Sequence, residues 1–182
     1  MRNHRVPLRA LIAALVGVVL VGAFVPVLAQ HRRPPKVVVK APGAWQRGVL
    51  GTYCWSYVDR GSNEGTGFCA DSLHGFPEAE PAGAGDPARF RLWAPKRPAE
   101  LSILFWRELD ENGQPVGDGE AIPAELRPHR KDGELVAFDA LFDLPTETGD
   151  HYLWVFAKWE EIRYGHGRGE GDGSWDFHLT LE

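Results

Sequence analysis

From residue 174 to residue 182 of this 182-residue chain, apolar and polar side chains alternate without a break. A period of two is typical of an antiparallel β-strand that buries one face and leaves the other in water. In residues 149–159 both parities are apolar, which is typical of a strand in the middle of a sheet. On this basis strands are predicted over six segments, namely residues 49–58, 89–92, 101–106, 135–144, 149–159 and 174–182.

Turn-forming residues punctuate the predicted strands. Asn-Gly at 112–113 and Asp-Gly at 132–133 suit the positive φ angles of tight β-hairpins, and residues 75–87 are rich in proline and glycine. No run of ten or more residues between 48 and 182 has a helical period. The pattern therefore predicts an all-β domain over residues 48–182, an immunoglobulin-like antiparallel β-sandwich.

An uncharged apolar run occupies residues 10–29, and three arginines precede it. A helix of this length would span about 30 Å, the thickness of the hydrocarbon core of a bilayer. Small residues at the positions that signal peptidase reads, in Val27–Ala29, favour a cleaved signal peptide. The length of the run and the basic residues that follow it favour an uncleaved single membrane anchor. Residues 1–29 are thus predicted to be a hydrophobic helix of one kind or the other, which directs export of the domain.

Residues 30–47 have the composition of a linker between this helix and the domain. Pro34-Pro35 stiffens the segment, and Lys36–Lys40 is the part that could begin an edge strand. No acidic residue precedes Asp59, whereas 12 basic and 25 acidic residues lie from there onward, and the whole chain carries a net charge of −5. A basic entry segment with an acidic body is typical of exported proteins and argues against a nucleic-acid-binding surface.

Two cysteines, Cys54 and Cys69, lie 15 residues apart. In an exported domain the default is a disulfide, which would stabilise the fold by about 3 kcal/mol in the chain-entropy model. The alternative is a copper or zinc site made of Cys54, Cys69 and His74, although this cysteine spacing is not a common ligand spacing.

A short motif surrounds the two cysteines: Gly51-Thr52-Tyr53-Cys54-Trp55, then Cys69-Ala70-Asp71. It resembles a motif of uncharacterised exported or lipid-anchored bacterial proteins, in which a G-x-Y-C-W segment and a C-x-D segment precede an immunoglobulin-like sandwich. Residues 149–159 and 175–181 are similar to the last two strands of such domains, although this chain lacks the lipid-anchor cysteine. The resemblance covers residues 48–182 and implies a fold and export. It implies no activity, because none is established for that family.

Reaction motifs are absent from the sequence, which contains neither G-x-S-x-G nor H-E-x-x-H and has seven scattered histidines. The most distinctive polar segment is Tyr164–Trp175, with glycine at every second position of its centre. We interpret it as a flexible hairpin loop. The segment could instead bind calcium through the carboxylate oxygens of Glu170, Asp172 and Asp176. The sequence suggests no other cofactor.

Seven tryptophans are many for a chain of this length. Trp154 and Trp175 lie on apolar faces of their strands and are expected in the core. Trp106 and Trp159 end their strands beside charged residues, so they are candidates for an exposed aromatic patch that binds carbohydrate or protein. The alternative is that both pack under loops or wrap around the edge of the sandwich.

These features favour an exported, membrane-proximal β-sandwich that acts as a binding or structural module of the cell envelope, without catalysis of its own. Its partners would be a protein or carbohydrate ligand and, if the N-terminal segment stays uncleaved, the membrane. Two alternatives stand beside this interpretation. One is a metal-dependent or hydrolytic envelope enzyme that uses residues 164–176, and the other is an accessory subunit of a membrane complex.

Overall fold

The alternating segments of the chain form β-strands in the computed structural model, which describes residues 33–62, 64–164 and 167–182. The predicted N-terminal helix, residues 1–29, lies outside these residues. Within them there is no helix, and therefore none long and apolar enough to cross a membrane. The prediction of an all-β domain is confirmed.

The strands, in chain order, are β1 (Val37–Ala41), β2 (Ala44–Arg47), β3 (Val49–Asp59), β4 (Gly65–Ala70), β5 (Glu80–Ala82), β6 (Pro87–Leu92), β7 (Glu100–Trp106), β8 (Glu120–Ala121), β9 (Glu125–Lys131), β10 (Glu134–Asp143), β11 (Gly149–Tyr164) and β12 (Gly167–Leu181).

Two sheets contain these strands. The order in the five-stranded sheet is β2-β1-β6-β10-β9, and the order along the seven-stranded sheet is β4-β3-β12-β11-β7-β8. The short β5 completes the second sheet by pairing in parallel with the end of β12. The other strand pairs are antiparallel. Two antiparallel sheets with a shared core are consistent with a β-sandwich.

Aromatic side chains fill the space between the two sheets. Phe90 of β6 stacks on Phe142 of β10, and their ring centroids are 4.8 Å apart. Phe177 of β12, in the other sheet, approaches the same Phe90 ring to 4.8 Å. All three rings are buried, so their contacts hold the two sheets face to face.

Gln46 of β2 links the two sheets through its side-chain amide. His178 lies on β12 between the stretch that pairs with β3 and the stretch that pairs with β5. Its backbone N–H donates to Gln46 Oε1 at 2.9 Å, and its carbonyl accepts from Gln46 Nε2 at 3.0 Å. Gln46 is buried, so the amide takes the place of a neighbouring strand for two backbone groups that need partners.

The structure differs from the linker predicted over residues 30–47, because β1 and β2 occupy half of that segment. A strand does begin near Lys36, but it lies between β2 and β6 and not at an edge. Val37 and Val39 are fully buried, and Val39 lies opposite Phe90. The apolar run is short and lies between prolines and basic residues, so contacts with the distant β6 decide its conformation. The sheets therefore begin at residue 37 and not at 48.

The part of the glycine-rich segment from residue 167 to residue 175, which the sequence predicts to be a loop, forms the first half of β12. It pairs with β11 on one side and with β3 on the other. A Cβ added at Gly169 would lie 2.8 Å from the Trp55 ring, and one at Gly171, where φ is +134°, would collide with the Cys54 carbonyl. The spacing of two thus reflects the pleat of a strand that passes very close to β3.

The predicted Asp-Gly turn joins β9 to β10. Asp132 has a φ of 52° and Gly133 a φ of 85°. Two successive positive φ angles are those of a type I′ turn, whose twist matches the twist of the flanking strands. This turn prediction is confirmed.

His151, on β11, is a buried histidine without a full set of hydrogen bonds. Its Nε2 lies 2.8 Å from the Glu147 carbonyl, while its Nδ1 is buried and has no partner among the described residues. Burial, with a smaller effect from the charge of Arg107, lowers the pKa of His151 below its ordinary value of about 6.5. The folded state therefore holds the ring in its neutral form at pH 7.

We predict that Gly169→Ala destabilises the domain, because the added methyl group meets the Trp55 ring at 2.8 Å. Overpacking of this kind costs about 1–3 kcal/mol of unfolding free energy. The matched control is Gly67→Ala on β4, where the nearest atom to an added Cβ is Ser56 Oγ at 3.7 Å. Urea unfolding of both variants measures the difference. Equal midpoints for the two would contradict the close approach of β12 to β3.

A second prediction concerns pH. Because the pKa of His151 is lowered on folding, the unfolded state binds more protons below about pH 6.5, and the free energy of unfolding falls as the pH is lowered through that value. Above about pH 6.5 His151 is neutral in both states and does not change the pH dependence of the unfolding free energy. We expect the difference in stability between His151→Gln and the parent chain to change between pH 7 and pH 5 in favour of the variant. A constant difference for His151→Gln would overturn the assignment.

Candidate functional site

Three neighbouring strands of the seven-stranded sheet, β7, β11 and β12, carry a common outward surface made of their even-numbered residues. Successive side chains of a strand point to opposite faces, and the odd-numbered ones here pack into the core. The strand register places the even-numbered side chains in rows that run across the strands. We call these rows the outer face, and they are Trp106–Tyr152–His178, Leu104–Trp154–Asp176, Ser102–Phe156–Ser174 and Glu100–Lys158–Asp172.

Trp154 and Phe156 form an aromatic shelf in the middle of the outer face. Their rings are stacked, with centroids 5.8 Å apart and planes inclined by 19°. Both side chains are partly exposed, whereas their odd-numbered neighbours Leu153 and Val155 are fully buried. The sequence predicts Trp154 in the core, but its ring lies on the outward side of β11. The shelf offers a flat apolar surface on which a ligand ring can stack.

Trp159, the second member of the predicted exposed patch, belongs to the core. It is 1% exposed and makes edge-to-face contacts with Trp55 and Trp175, with centroids 6.2 Å apart in each case. Its Nε1 donates to the Lys96 carbonyl at 3.1 Å. The charged residues on either side of it in the sequence point to the opposite face of the sheet. Trp159 is therefore not part of an exposed aromatic patch, and of the two alternatives for this residue the packed one is correct.

Trp106, the other member of that patch, lies at one end of the outer face and is partly exposed. A segment that we call the strap, residues 71–79, crosses the sheet beside it. The His74 ring approaches the Trp106 ring to 5.8 Å, and Phe76 packs edge-on against Tyr152 at 5.1 Å. Trp106 thus forms an end wall beside the strap, and the open part of the outer face begins at the shelf.

Asp176 fastens the strap to the sheet. It is 1% exposed, and its two oxygens lie 2.8 Å from His74 Nδ1 and 2.9 Å from the Gly75 N–H. A carboxylate that orients an imidazole is part of the triad used by many hydrolases. Among the described residues, however, no hydroxyl or thiol is hydrogen-bonded to the other nitrogen of His74. The pair as it stands positions the strap.

The predicted calcium ligands Glu170, Asp172 and Asp176 all point outward from β12 but do not converge. Residues i and i+2 of a strand are roughly 7 Å apart, which is too far to share one cation without help from a loop. Asp176 binds the strap, and Asp172 accepts a hydrogen bond from the Cys54 N–H at 3.2 Å. In the described part of the chain, no three histidine, cysteine or carboxylate side chains are grouped to hold a metal ion.

Cys54 and Cys69 form a disulfide between β3 and β4, as the sequence predicts. They lie directly opposite each other in the strand register, with Cα atoms 4.1 Å apart. Both sulfur atoms are therefore engaged, and the alternative copper or zinc site with His74 is wrong. Both cysteines are exposed, and no side chain of β4 is buried, so β4 is held by its pairing with β3 and by this bond.

Lys158 lies at the end of the outer face that is remote from the strap. It forms an ion pair with Glu100 at 3.0 Å, and Asp172 is its neighbour on β12. The hydrogen bond with Glu100 and the charges of Glu100, Asp172 and Glu160 raise the pKa of the Lys158 ammonium. Because the pair is exposed to solvent it contributes little to stability. Its effect is to place fixed polar groups along the rim of the shelf.

Sequence reasoning missed the shelf although a signal for it exists. Both parities of β11 are apolar between residues 152 and 157, so periodicity alone does not choose the outward one. Up to residue 160 the charged residues of the strand, Asp150, Lys158 and Glu160, all have even numbers. That shared parity identifies the even side as the outward one and would have placed Trp154 and Phe156 on the surface.

Comparison of the chain with protein-family models, with curated proteins and with solved structures finds no match. Function is therefore inferred from the geometry of the chain itself.

We predict that removal of the disulfide acts locally. In Cys54→Ser/Cys69→Ser the unfolding free energy should fall by up to about 3 kcal/mol, the value expected for closing a loop of this size. Because β4 buries no side chain, its amides should exchange with solvent much faster, while those of β11 and β12 keep their relative protection. Hydrogen exchange followed by mass spectrometry measures both. A uniform loss of protection across the seven-stranded sheet would contradict the local role.

Proposed function

We propose that the chain is an extracytoplasmic, non-catalytic binding module that binds a neutral saccharide chain across its outer face. The observation that carries the proposal is the pair of stacked, partly exposed rings of Trp154 and Phe156, with polar groups on both sides. Aromatic rings in water are candidates for contact with a partner, and planar rings suit the apolar C–H faces of sugars. A binding role is the one that the sequence favours.

Polar groups in the adjoining rows supply the hydrogen bonds that the aromatic shelf cannot make. Ser102 is exposed on β7 beside Phe156, and Lys158 and Asp172 lie one row farther along. Hydroxyl, ammonium and carboxylate groups at the rim can hydrogen-bond the hydroxyls of a sugar whose ring stacks on the shelf. The strap blocks one end of the face, so a chain would run from the shelf toward Lys158.

The strand order supports an immunoglobulin-like arrangement for this module. In such domains one sheet has the order A-B-E-D and the other C-F-G, with the letters following the chain. The order β1-β6-β10-β9 corresponds to the first, and β7-β11-β12 corresponds to the second. The β3-β4 hairpin then extends the sheet beyond strand G. The disulfide joins that hairpin, so it is not the inter-sheet bridge of an antibody domain.

The exposed disulfide supports an extracytoplasmic location, because exposed disulfides persist in oxidising compartments and are rare in the cytosol. The basic and apolar N-terminal segment, which lies outside the described residues, supports the same proposal from the sequence. The enzyme alternative relied on a loop at residues 164–176, and residues 167–176 lie in a paired strand. The accessory-subunit alternative has no specific observation in its favour.

The test measures binding of neutral hexasaccharides, cellohexaose and chitohexaose, to the full chain by calorimetry. We expect binding of at least one, weakened tenfold or more in Trp154→Ala and in Phe156→Ala, because each removes part of the stacking surface. The matched control is Trp93→Ala, which removes a tryptophan ring that is 44% exposed just beyond β6 of the other sheet. Failure of both sugars to bind, or equal weakening by Trp93→Ala, would refute the proposal. Release of shorter sugars during the titration would support the enzyme alternative.

A further inference from the structure

A cleft of about 1200 Å³ lies at one end of the five-stranded sheet, and the proposed saccharide face does not include it. We propose that this cleft binds an acidic saccharide, with a sugar ring against Trp45 and a carboxylate against Arg89. The segment that builds a third of it, β1, β2 and the turn between them, is the one that the sequence predicts to be a linker. For this reason the site is not visible in the sequence.

The wall of the cleft is a row of outward side chains that crosses the sheet in strict register. Trp45, Lys40, Arg89, Leu141 and Glu125 are successive cross-strand neighbours on β2, β1, β6, β10 and β9. All five line the cleft. Neighbouring strands are about 4.8 Å apart, so Trp45 and Arg89 are separated by roughly 10 Å, with Lys40 between them.

Trp45 is the aromatic member of this row and is 55% exposed. Its neighbours on β2 in the chain, Ala44 and Gln46, are buried, so the alternation of the strand directs the indole outward and into the cleft. A tryptophan with this much surface in water contributes little to the core. Its broad ring suits contact with the C–H face of a sugar.

Arg89 has a guanidinium that no described residue neutralises. It takes part in no ion pair or hydrogen bond of the described chain, and its Nε is buried without a partner. Two other arginines of the same sheet face behave differently, since Arg91 binds Asp139 through two hydrogen bonds and Arg127 binds Glu125 likewise. A buried donor without an acceptor is costly in a folded protein, and a planar guanidinium matches a carboxylate.

The local charge is positive although the chain as a whole carries −5. Lys40 has no ion-pair partner among the described residues, and neither has Arg47, which points outward two residues from Trp45. Of the two carboxylates that line the cleft, Glu125 is engaged by Arg127 at 2.8 Å, and Asp143, the last residue of β10, lies opposite Pro87 and not in the row. The middle of the row, at Lys40 and Arg89, therefore attracts a negatively charged ligand.

These features together select the class of ligand. An anion alone would not use the exposed indole, and a neutral sugar would leave the two cations without acceptors. A sugar that carries a carboxylate uses both, because its ring can cover Trp45 while the carboxylate accepts from Arg89 and Lys40. The acidic balance of the chain disfavours nucleic acid as the anionic partner.

Calorimetry on the full chain compares two probes of equal length, the hexamer of galacturonic acid and neutral maltohexaose. We expect the acidic hexamer to bind at least tenfold more tightly than the neutral one. Trp45→Ala, Arg89→Gln and Lys40→Gln should each weaken its binding tenfold or more. All three positions are on the surface of the sheet, and the circular dichroism of each variant establishes that it is folded.

Two matched controls lie at the other end of the same sheet. Trp93→Ala removes an exposed indole, and Lys131→Gln removes an exposed positive charge. Each should change the affinity for the acidic hexamer less than twofold. Equal binding of the two hexamers, absence of binding, or equal weakening by Lys131→Gln would overturn the proposal, the last because it would indicate diffuse charge attraction.

The cleft and the outer face can be tested independently of each other. Trp154→Ala should leave the binding of the acidic hexamer unchanged, because the shelf belongs to the other sheet. Conversely, Trp45→Ala should leave the binding of neutral sugars to the shelf unchanged. A loss of acidic-hexamer binding in Trp154→Ala would assign that binding to the shelf and refute the cleft.

Discussion

The in-register pairing of β11 with β12 is the interaction on which the rest of the structure depends. It runs from Gly149 opposite Leu181 to Tyr164 opposite Gly167, with one irregularity after Trp159. A slip of one residue would turn every side chain of a strand to the opposite face, and it would bring Asp176 into the core. β12 also pairs with β3 and β5 and receives the Gln46 amide from the other sheet. The shelf, the strap and the link between the sheets all take their positions from it.

The strands that the sequence predicts well are those whose own pattern is long enough to be decisive. The last strand alternates over nine residues, and the Asp-Gly pair at 132–133 has the backbone geometry that such pairs favour. The failures occur where a distant partner decides the conformation. Val37–Ala41 is a strand because its valines pack beside Phe90 of β6. The glycine at position 169 is required because the Trp55 ring of the neighbouring strand leaves no room for a larger side chain, and not because the segment is a loop. Neither partner is a neighbour in the chain.

The candidate sites were harder to predict than the fold, for a related reason. In β11 both parities are apolar, so charged neighbours made Trp159 a candidate for the surface, while Trp154 was expected in the core. The structure reverses the two, because the charged neighbours of Trp159 belong to the opposite face. Arg89 shows a different limit. Its sequence context resembles that of Arg91, and only the positions of Asp139 and Glu125 in neighbouring strands reveal that one arginine is paired and the other is not.

The division of the tryptophans between core and surface bears on both proposals. Trp55, Trp159 and Trp175 form one buried edge-to-face cluster, and the phenylalanines around Phe90 fill the space between the sheets. Trp45 is outside this core, and Trp154 lies on its outer surface, so neither contributes a fully buried ring to stability. Large apolar rings left in water favour association with something. Because a packed core separates the two surfaces, substitutions on one should be additive with substitutions on the other, and a change in binding can be attributed to the face that was altered.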